Sequence, residues 1–260
     1  ELEFQQIPAF EGTCNIGEDK TRENLEKIFS CIDLTTLNTT DSANSVQEFC
    51  DNVGAFHKDF PDIPLVAAVC TYPVFSSVLK ARLKDLDVGR AVVSAGFPSS
   101  QTFLDLKVRE TQKALEFGAN EIDIVISVGE LLEGNYEFVM EEISSIKSIV
   151  QDNHLKVILE TGALSSSEKI WDASVLAMEA GADFIKTSTG KTTPAATPDA
   201  FWVMTHAVKA FHAKNGKMVG LKPAGGISTS DDALVYFCMV KDVLGENWLN
   251  SRYFRIGASR

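Results

Sequence analysis

The stretch FIKTSTGK, residues 184–191, ends an apolar run on Lys186 and sets Lys191 just after a glycine, while GLKPAGG, residues 220–226, ends another apolar run on Lys222. Alternate side chains of an extended strand share a face, so Lys186 falls on the face of Phe184, and Ile185 and Thr187 take the other. Both faces are apolar, and a buried ammonium without a partner loses its proton or acquires a carboxylate. Either lysine alone is equally well read as a salt bridge to Asp123 or Glu160 that fixes strand register. Two lysines on adjacent strands, with Asp123 of EIDIVIS (121–127) two strands away, point elsewhere. Neighbouring ammoniums lower each other's pKa, and a neutral amine is what imine formation requires. The chemistry implied is carbonyl chemistry through a Schiff base.

Other strand-end charges can converge with these: Asp33 in CIDLTTL and Glu160 in VILETG. Glycine-bearing loops supply a second half of the site. STGK (188–191), PAGGIST (223–229) and IGAS (256–259) follow three successive candidate strands, where exposed backbone N–H groups suit a phosphate and Lys191 adds a full positive charge. The four histidines, His57, His154, His206 and His212, lie in helices or a helix–strand turn, so neither a histidine metal site nor a Ser-His triad is expected. Cys70, at the end of a candidate strand, is placed to meet an aldehyde.

The elements that must position these residues repeat regularly. Eight short apolar runs serve as candidate strands: 29–34, 65–70, 89–95, 121–127, 155–161, 183–188, 218–223 and 253–258. Helix-like stretches lie between them, including SVQEFCDNVGAFHKDF, TFLDLKVRETQKALEFG, NYEFVMEEISSIKSIVQDN, SEKIWDASVLAMEAG and TPDAFWVMTHAVKAFHAKNG. Thr197 before Pro198 suits a helix N-cap, and Gly118, Gly181 and Gly216 suit helix stops. Repeated strand–helix units of this length read as a (β/α)8 TIM barrel, with its active site at the C-terminal ends of the strands. A doubly wound open sheet is the competing architecture, but no G-x-G-x-x-G follows the first strand. One barrel domain is expected over 1–260, with residues 1–27 as an N-terminal extension that holds an extra helix and covers the N-terminal mouth. The eighth helix is expected to be missing, since only ASR follows the last strand's glycine.

A formal net charge of −12 opposes affinity for nucleic acid or an anionic membrane, so an anionic ligand must be held by local groups. Five scattered cysteines, Cys14, Cys31, Cys50, Cys70 and Cys238, form no CxxC pair and suit a reducing, cytoplasmic setting. No apolar run approaches a membrane span and the first ten residues do not read as a secretory signal.

The stretches IDLTTLN (32–38), EIDIVI (121–126), KVILETG (156–162), GADFIKTSTGK (181–191), LKPAGGI (221–227) and FRIGAS (254–259) resemble, in order and over nearly the whole chain, the 2-deoxyribose-5-phosphate aldolases. These are class I aldolases built on a (β/α)8 barrel. The resemblance implies reversible cleavage of 2-deoxy-D-ribose 5-phosphate to D-glyceraldehyde 3-phosphate and acetaldehyde, with no metal and no cofactor. It implies Lys186 as the Schiff-base lysine, Lys222 as the cation that lowers its pKa, and Asp123 as the group that moves the sugar hydroxyl proton with a bound water. Asp33, Thr35 and Thr189 are implied as support for the water and hydroxyl network, and Gly190, Lys191, Gly225, Gly226, Gly257 and Ser259 as phosphate contacts. Ser228 stands where the family often carries arginine, so phosphate is expected to be held less strongly or by a different cation. A monomer or homodimer acting on a phosphorylated sugar is expected; a related Schiff-base aldolase for another sugar phosphate, or a non-catalytic sugar-phosphate-binding barrel, remain the alternatives.

Overall fold

The computed structural model describes residues 2–4, 7–12 and 15–259; Cys14 lies outside them. The N-terminal part carries α1 (Ile16–Asp19) and α2 (Arg22–Ser30). The repeating units follow as β1 (Ile32–Thr35), α3 (Ala43–Asp59), β2 (Ala68–Thr71), α4 (Ser76–Arg82), β3 (Gly89–Ser94) and α5 (Leu104–Glu116). Next come β4 (Glu121–Val125), α6 (Val128–Glu133), α7 (Tyr136–Val150), β5 (His154–Ile158), α8 (Ser167–Glu179), β6 (Phe184–Lys186) and α9 (Pro198–Asn215). The series ends with β7 (Gly220–Lys222), α10 (Ser230–Leu244) and β8 (Ile256–Ser259).

All strand pairs are parallel, in the order β7-β6-β5-β4-β3-β2-β1-β8. Parallel bridges Leu221↔Phe254 and Ala224↔Gly257 bring the two ends of this sheet together, so eight strands form a nearly closed (β/α)8 barrel. Among the described residues no helix follows β8. The expected strands all appear, with shifted limits. The first begins at Ile32 because α2 runs through Ser30, and the sixth and seventh end at their lysines, where the chain turns into the glycine loops. The Trp171 and Trp202 indoles donate to the carbonyls of Leu2 and Pro8, which sets those two residues against α8 and α9.

Strand alternation sorts the side chains. Val69, Val92, Ile122, Ile124, Leu155, Val157, Ile185, Leu221 and Ile256 point outward beneath the helices, each at most 1% exposed and worth about 2 kcal/mol of apolar burial. Their neighbours on the other face fill the interior. On β2 and β3 these are small and apolar, Ala68, Cys70, Ala91 and Val93. On the remaining strands they include six charged residues, Asp33, Glu121, Asp123, Lys156, Lys186 and Lys222. The Phe184 ring occupies the interior beside β7, where a Cβ on residue 220 would sit 2.3 Å from it, so only glycine fits there.

The ends of the helices follow their capping residues. Thr197 accepts from the Ala200 amide with Pro198 at the first position of α9, and Gly216 closes that helix in the left-handed region. Thr229 and Asp232 form a reciprocal capping box that starts α10 directly after the glycine loop of β7.

Candidate active site

Pairing β6 with β7 sets Lys186 directly opposite Lys222, as alternation on the two strands requires. Both side chains enter the interior, Lys186 at 4% exposure and Lys222 at 0%. Asp123 reaches them from β4: its Oδ2 accepts from Lys186 Nζ at 2.9 Å and from Lys222 Nζ at 2.7 Å. Two ammonium positions therefore compete for one carboxylate oxygen. Lys222 has a second anchor, Asp33 Oδ2, at 2.5 Å, whereas among the described residues the only carboxylate in contact with Lys186 is Asp123.

These contacts separate the two lysines electrostatically. Burial pushes the Lys186 amine below its ordinary pKa; Asp123 opposes the shift and Lys222 adds to it. Burial acts in the same direction on Lys222, but Asp123 and Asp33 outweigh it and raise that amine above its ordinary value. Asp123 is itself buried, which favours its protonated form, yet Lys156, Lys186 and Lys222 hold it well below the carboxylate range. Burial would likewise raise Asp33, and Lys156, Lys222 and Arg255 bring it down to about 2. The arrangement is a nucleophile-ready amine, a fixed ammonium and an ionised carboxylate within hydrogen-bonding reach of one another.

Above Lys186 opens a pocket of about 440 Å³, and Thr35, Thr189, Gly190, Lys191, Gly225, Gly226, Gly257 and Ser259 all line it. Every substrate-contact residue expected from the sequence is on that wall except Asp33, which lies sealed beneath Lys222 and acts as its charge partner. Gly225 and Gly226 have φ of 87° and 79°, a conformation that turns their backbone toward the cavity and disfavours side-chain-bearing residues. Lys191 crosses the pocket mouth to donate to the Leu37 carbonyl, tying the loop after β6 to the loop after β1. Ser228 lies outside the pocket wall, its amide and hydroxyl both directed to Asp232.

Glu160 does not join the lysines. It takes a left-handed conformation at the end of β5 and accepts from both the amide and the hydroxyl of Thr189, at 3.1 and 2.6 Å, so it shapes the loop that carries Lys191. Cys70 is fully buried in the apolar part of the interior and does not line the pocket. Burial and the nearby Asp123 push its thiol up to about 11, which disfavours the thiolate needed for attack on an aldehyde.

Three interior residues escaped the sequence reading. Lys156 on β5 reaches Asp33, Glu121 and Asp123 at 3.2, 2.5 and 3.1 Å. Arg255, just before β8, donates to Asp33 at 2.6 Å and to both oxygens of Glu121 at 3.0 and 2.8 Å. The available signal was parity: Glu121 lies two residues before Asp123, and Lys156 two before Ile158, on the inward faces of their strands.

The family model described as DeoC/LacD family aldolase matches residues 27–240. The chain belongs to this aldolase family. The aldolase is 41% identical over 246 residues to the deoxyribose-phosphate aldolase of Bos taurus, covering 90% of this chain and 77% of that protein. It is 40% identical over 246 residues to the deoxyribose-phosphate aldolase of Homo sapiens, with the same coverage of 90% and 77%. In three dimensions the aldolase superposes on the deoxyribose phosphate aldolase of Aeropyrum pernix, described as a unique tetramer, with a TM-score of 0.75, 24% identity, and 96% and 94% of the two chains covered. That last likeness bears on the fold: both chains form the same kind of barrel.

Proposed function

We propose that this aldolase cleaves 2-deoxy-D-ribose 5-phosphate reversibly to D-glyceraldehyde 3-phosphate and acetaldehyde through a Schiff base on Lys186. The observation that carries the reading is the Lys186 amine itself, lowered in pKa by burial, at the base of a polar pocket and 2.9 Å from Asp123.

Neutral Lys186 Nζ adds to the C1 aldehyde of the open-chain sugar, and loss of water leaves a protonated imine. Asp123, with a bound water, takes the proton of the C3 hydroxyl. The C2–C3 bond then breaks, its electron pair moves toward the iminium nitrogen to give an enamine, and the C3 oxygen becomes the aldehyde of glyceraldehyde 3-phosphate. Protonation of the enamine at C2 and hydrolysis of the imine release acetaldehyde and restore the amine. Lys222, held as an ammonium by Asp33 and Asp123, keeps positive charge beside Lys186 and relays protons through Asp123. The glycines at 190, 225, 226 and 257, with Lys191 and Ser259, surround the end of the pocket suited to the 5-phosphate.

The test is a cleavage assay on a panel of sugar phosphates. Release of both aldehydes from 2-deoxyribose 5-phosphate, and much slower turnover of ribose 5-phosphate and other pentose or hexose phosphates, is the expected result. Preference for another sugar phosphate would redirect the substrate assignment, and tight binding without turnover would replace the enzyme by a sugar-phosphate-binding barrel. Cys31, Cys50 and Cys70 are buried free thiols, the state a reducing compartment maintains. On that ground the reading extends to a cytoplasmic enzyme; a monomer or homodimer stays the proposal for its assembly. Among the described residues no helix is long and apolar enough to cross a membrane.

A further inference from the structure

Among the described residues the ion-paired cluster of the barrel interior holds more positive positions than negative ones; Glu160, also buried, is turned to Thr189 instead. The cluster's ion pairs join four cations, Lys156, Lys186, Lys222 and Arg255, to three carboxylates, Asp33, Glu121 and Asp123. A buried cluster with one surplus charge sheds it most readily as a proton, because burial penalises unbalanced charge. Which cation yields depends on how firmly each is held. Lys156 touches all three carboxylates, and Lys222 and Arg255 touch two each. Lys186 touches one, through the oxygen it shares with Lys222.

A guanidinium cannot yield its proton within a protein, unlike an ammonium. Arg255 is therefore a fixed charge that occupies Asp33 and Glu121 permanently. Neither Arg255 nor Glu121 lines the pocket above Lys186; both open on a separate pit of about 550 Å³ at the opposite end of the barrel. They cannot touch a substrate bound over Lys186. We propose that Arg255 and Glu121 form a positioning pair that sets the proton count of the barrel interior: the fixed guanidinium uses carboxylate capacity that would otherwise hold a proton on Lys186. The Lys186 amine is thus kept neutral from beneath as well as by its neighbour Lys222.

Lys186 is faced by Asp123 from β4, Lys222 from β7 and Cys70 from β2, with Lys156 and Asp33 joined to it through Asp123 and Lys222. Arg255 is faced by Asp33, Glu121, Lys156 and the Cys31 thiol, and the pit below adds His57, Asp87 and Arg90, while His154 lies 3.5 Å from Glu121. Of the four interior cations, Lys186 is the one whose pKa falls below its ordinary value, chiefly through burial; Lys156, Lys222 and Arg255 are all raised by their carboxylates against the effect of burial.

This inference rests on the Schiff-base reading of Lys186 and deepens it. The experiment follows the pH dependence of kcat/KM for cleavage of 2-deoxyribose 5-phosphate, together with the pH dependence of borohydride trapping of acetaldehyde on Lys186. In Arg255→Met the acid limb of both profiles moves to higher pH by about one unit, with a roughly tenfold loss at neutral pH. In Glu121→Gln it moves to lower pH. The double variant has lost one charge of each sign and returns to the wild-type limb, as does Arg255→Lys. Limbs that stay in place, or that move the same way in Arg255→Met and Glu121→Gln, overturn the proposal and leave the pair a structural brace. If Arg255→Met does not accumulate as folded protein, the direction in Glu121→Gln and the position in the double variant decide. Labelling of the wild type at a lysine other than Lys186 would instead refute the underlying reading.

Discussion

Lys107 and Lys186 are both almost sealed from solvent, at 1% and 4% exposure, yet they have opposite surroundings. Lys107, on α5, is paired with Glu142 of α7 and also donates to the hydroxyls of Ser100 and Ser127 at 2.8 and 2.9 Å. The same Glu142 accepts from the Ser127 amide, and Ser100 donates to the Val125 carbonyl, so the pair clips two helices to the end of β4 and the loop after β3. One ammonium meets one carboxylate, and neutral hydroxyls complete the shell. Lys186 instead shares its only contacting carboxylate oxygen with Lys222, in a cluster short of negative charge. A buried lysine becomes structural when its charge is matched and reactive when it is not.

Substitutions should separate the two. Lys186→Ala is expected to lower kcat/KM by at least about 10⁴-fold, as removal of a nucleophile does, while thermal unfolding shows stability nearly held because the amine removed is the least firmly paired member of the cluster. Comparable activity in this variant would place the chemistry elsewhere. Lys222→Leu is expected to cost about 10²- to 10³-fold in kcat, the scale of a lost proton-relay group, measured by steady-state cleavage; near-normal turnover would contradict its role. Lys107→Met should do the reverse. It leaves Glu142 buried without its ion-pair partner and is expected to cost about 3–5 kcal/mol in denaturant unfolding, with kcat per folded molecule unchanged. Adding Glu142→Leu should recover much of that loss. The smallest effect belongs to the pocket mouth: Lys191→Ala is expected to raise KM by roughly tenfold, in line with loss of one charge-assisted phosphate contact, and to leave kcat within about twofold.

The matched pair and the mismatched cluster were not equally visible in the sequence. Lys186 and Lys222 stood out because each ends an apolar strand and begins a glycine loop, and the period of a strand fixed the face they share with Phe184 and Gly220. The pocket wall was legible for the same reason, since glycines with φ > 0 and a loop lysine announce themselves. What alternation cannot supply is register. That Asp123 pairs with Lys156, and Glu121 with His154, depends on how far β5 is displaced along β4. Arg255 precedes its strand and joins the interior only through barrel closure, in which the eighth strand pairs with the first and is bridged to the seventh, and no local pattern encodes that. Glu160 shows the opposite failure. Its position at a strand end suggested catalysis, but the left-handed turn at that residue aims it at the Thr189 loop.

The division of labour among the buried lysines is tested most directly by reducing the working enzyme. Sodium borohydride added during turnover of 2-deoxyribose 5-phosphate, followed by proteolysis and mass spectrometry of the peptides, locates the imine. One substrate-derived adduct is expected, on the peptide carrying Lys186, and none on Lys107, Lys156 or Lys222. An adduct on any of those three, or an active enzyme that borohydride and substrate leave unmodified, would contradict that division.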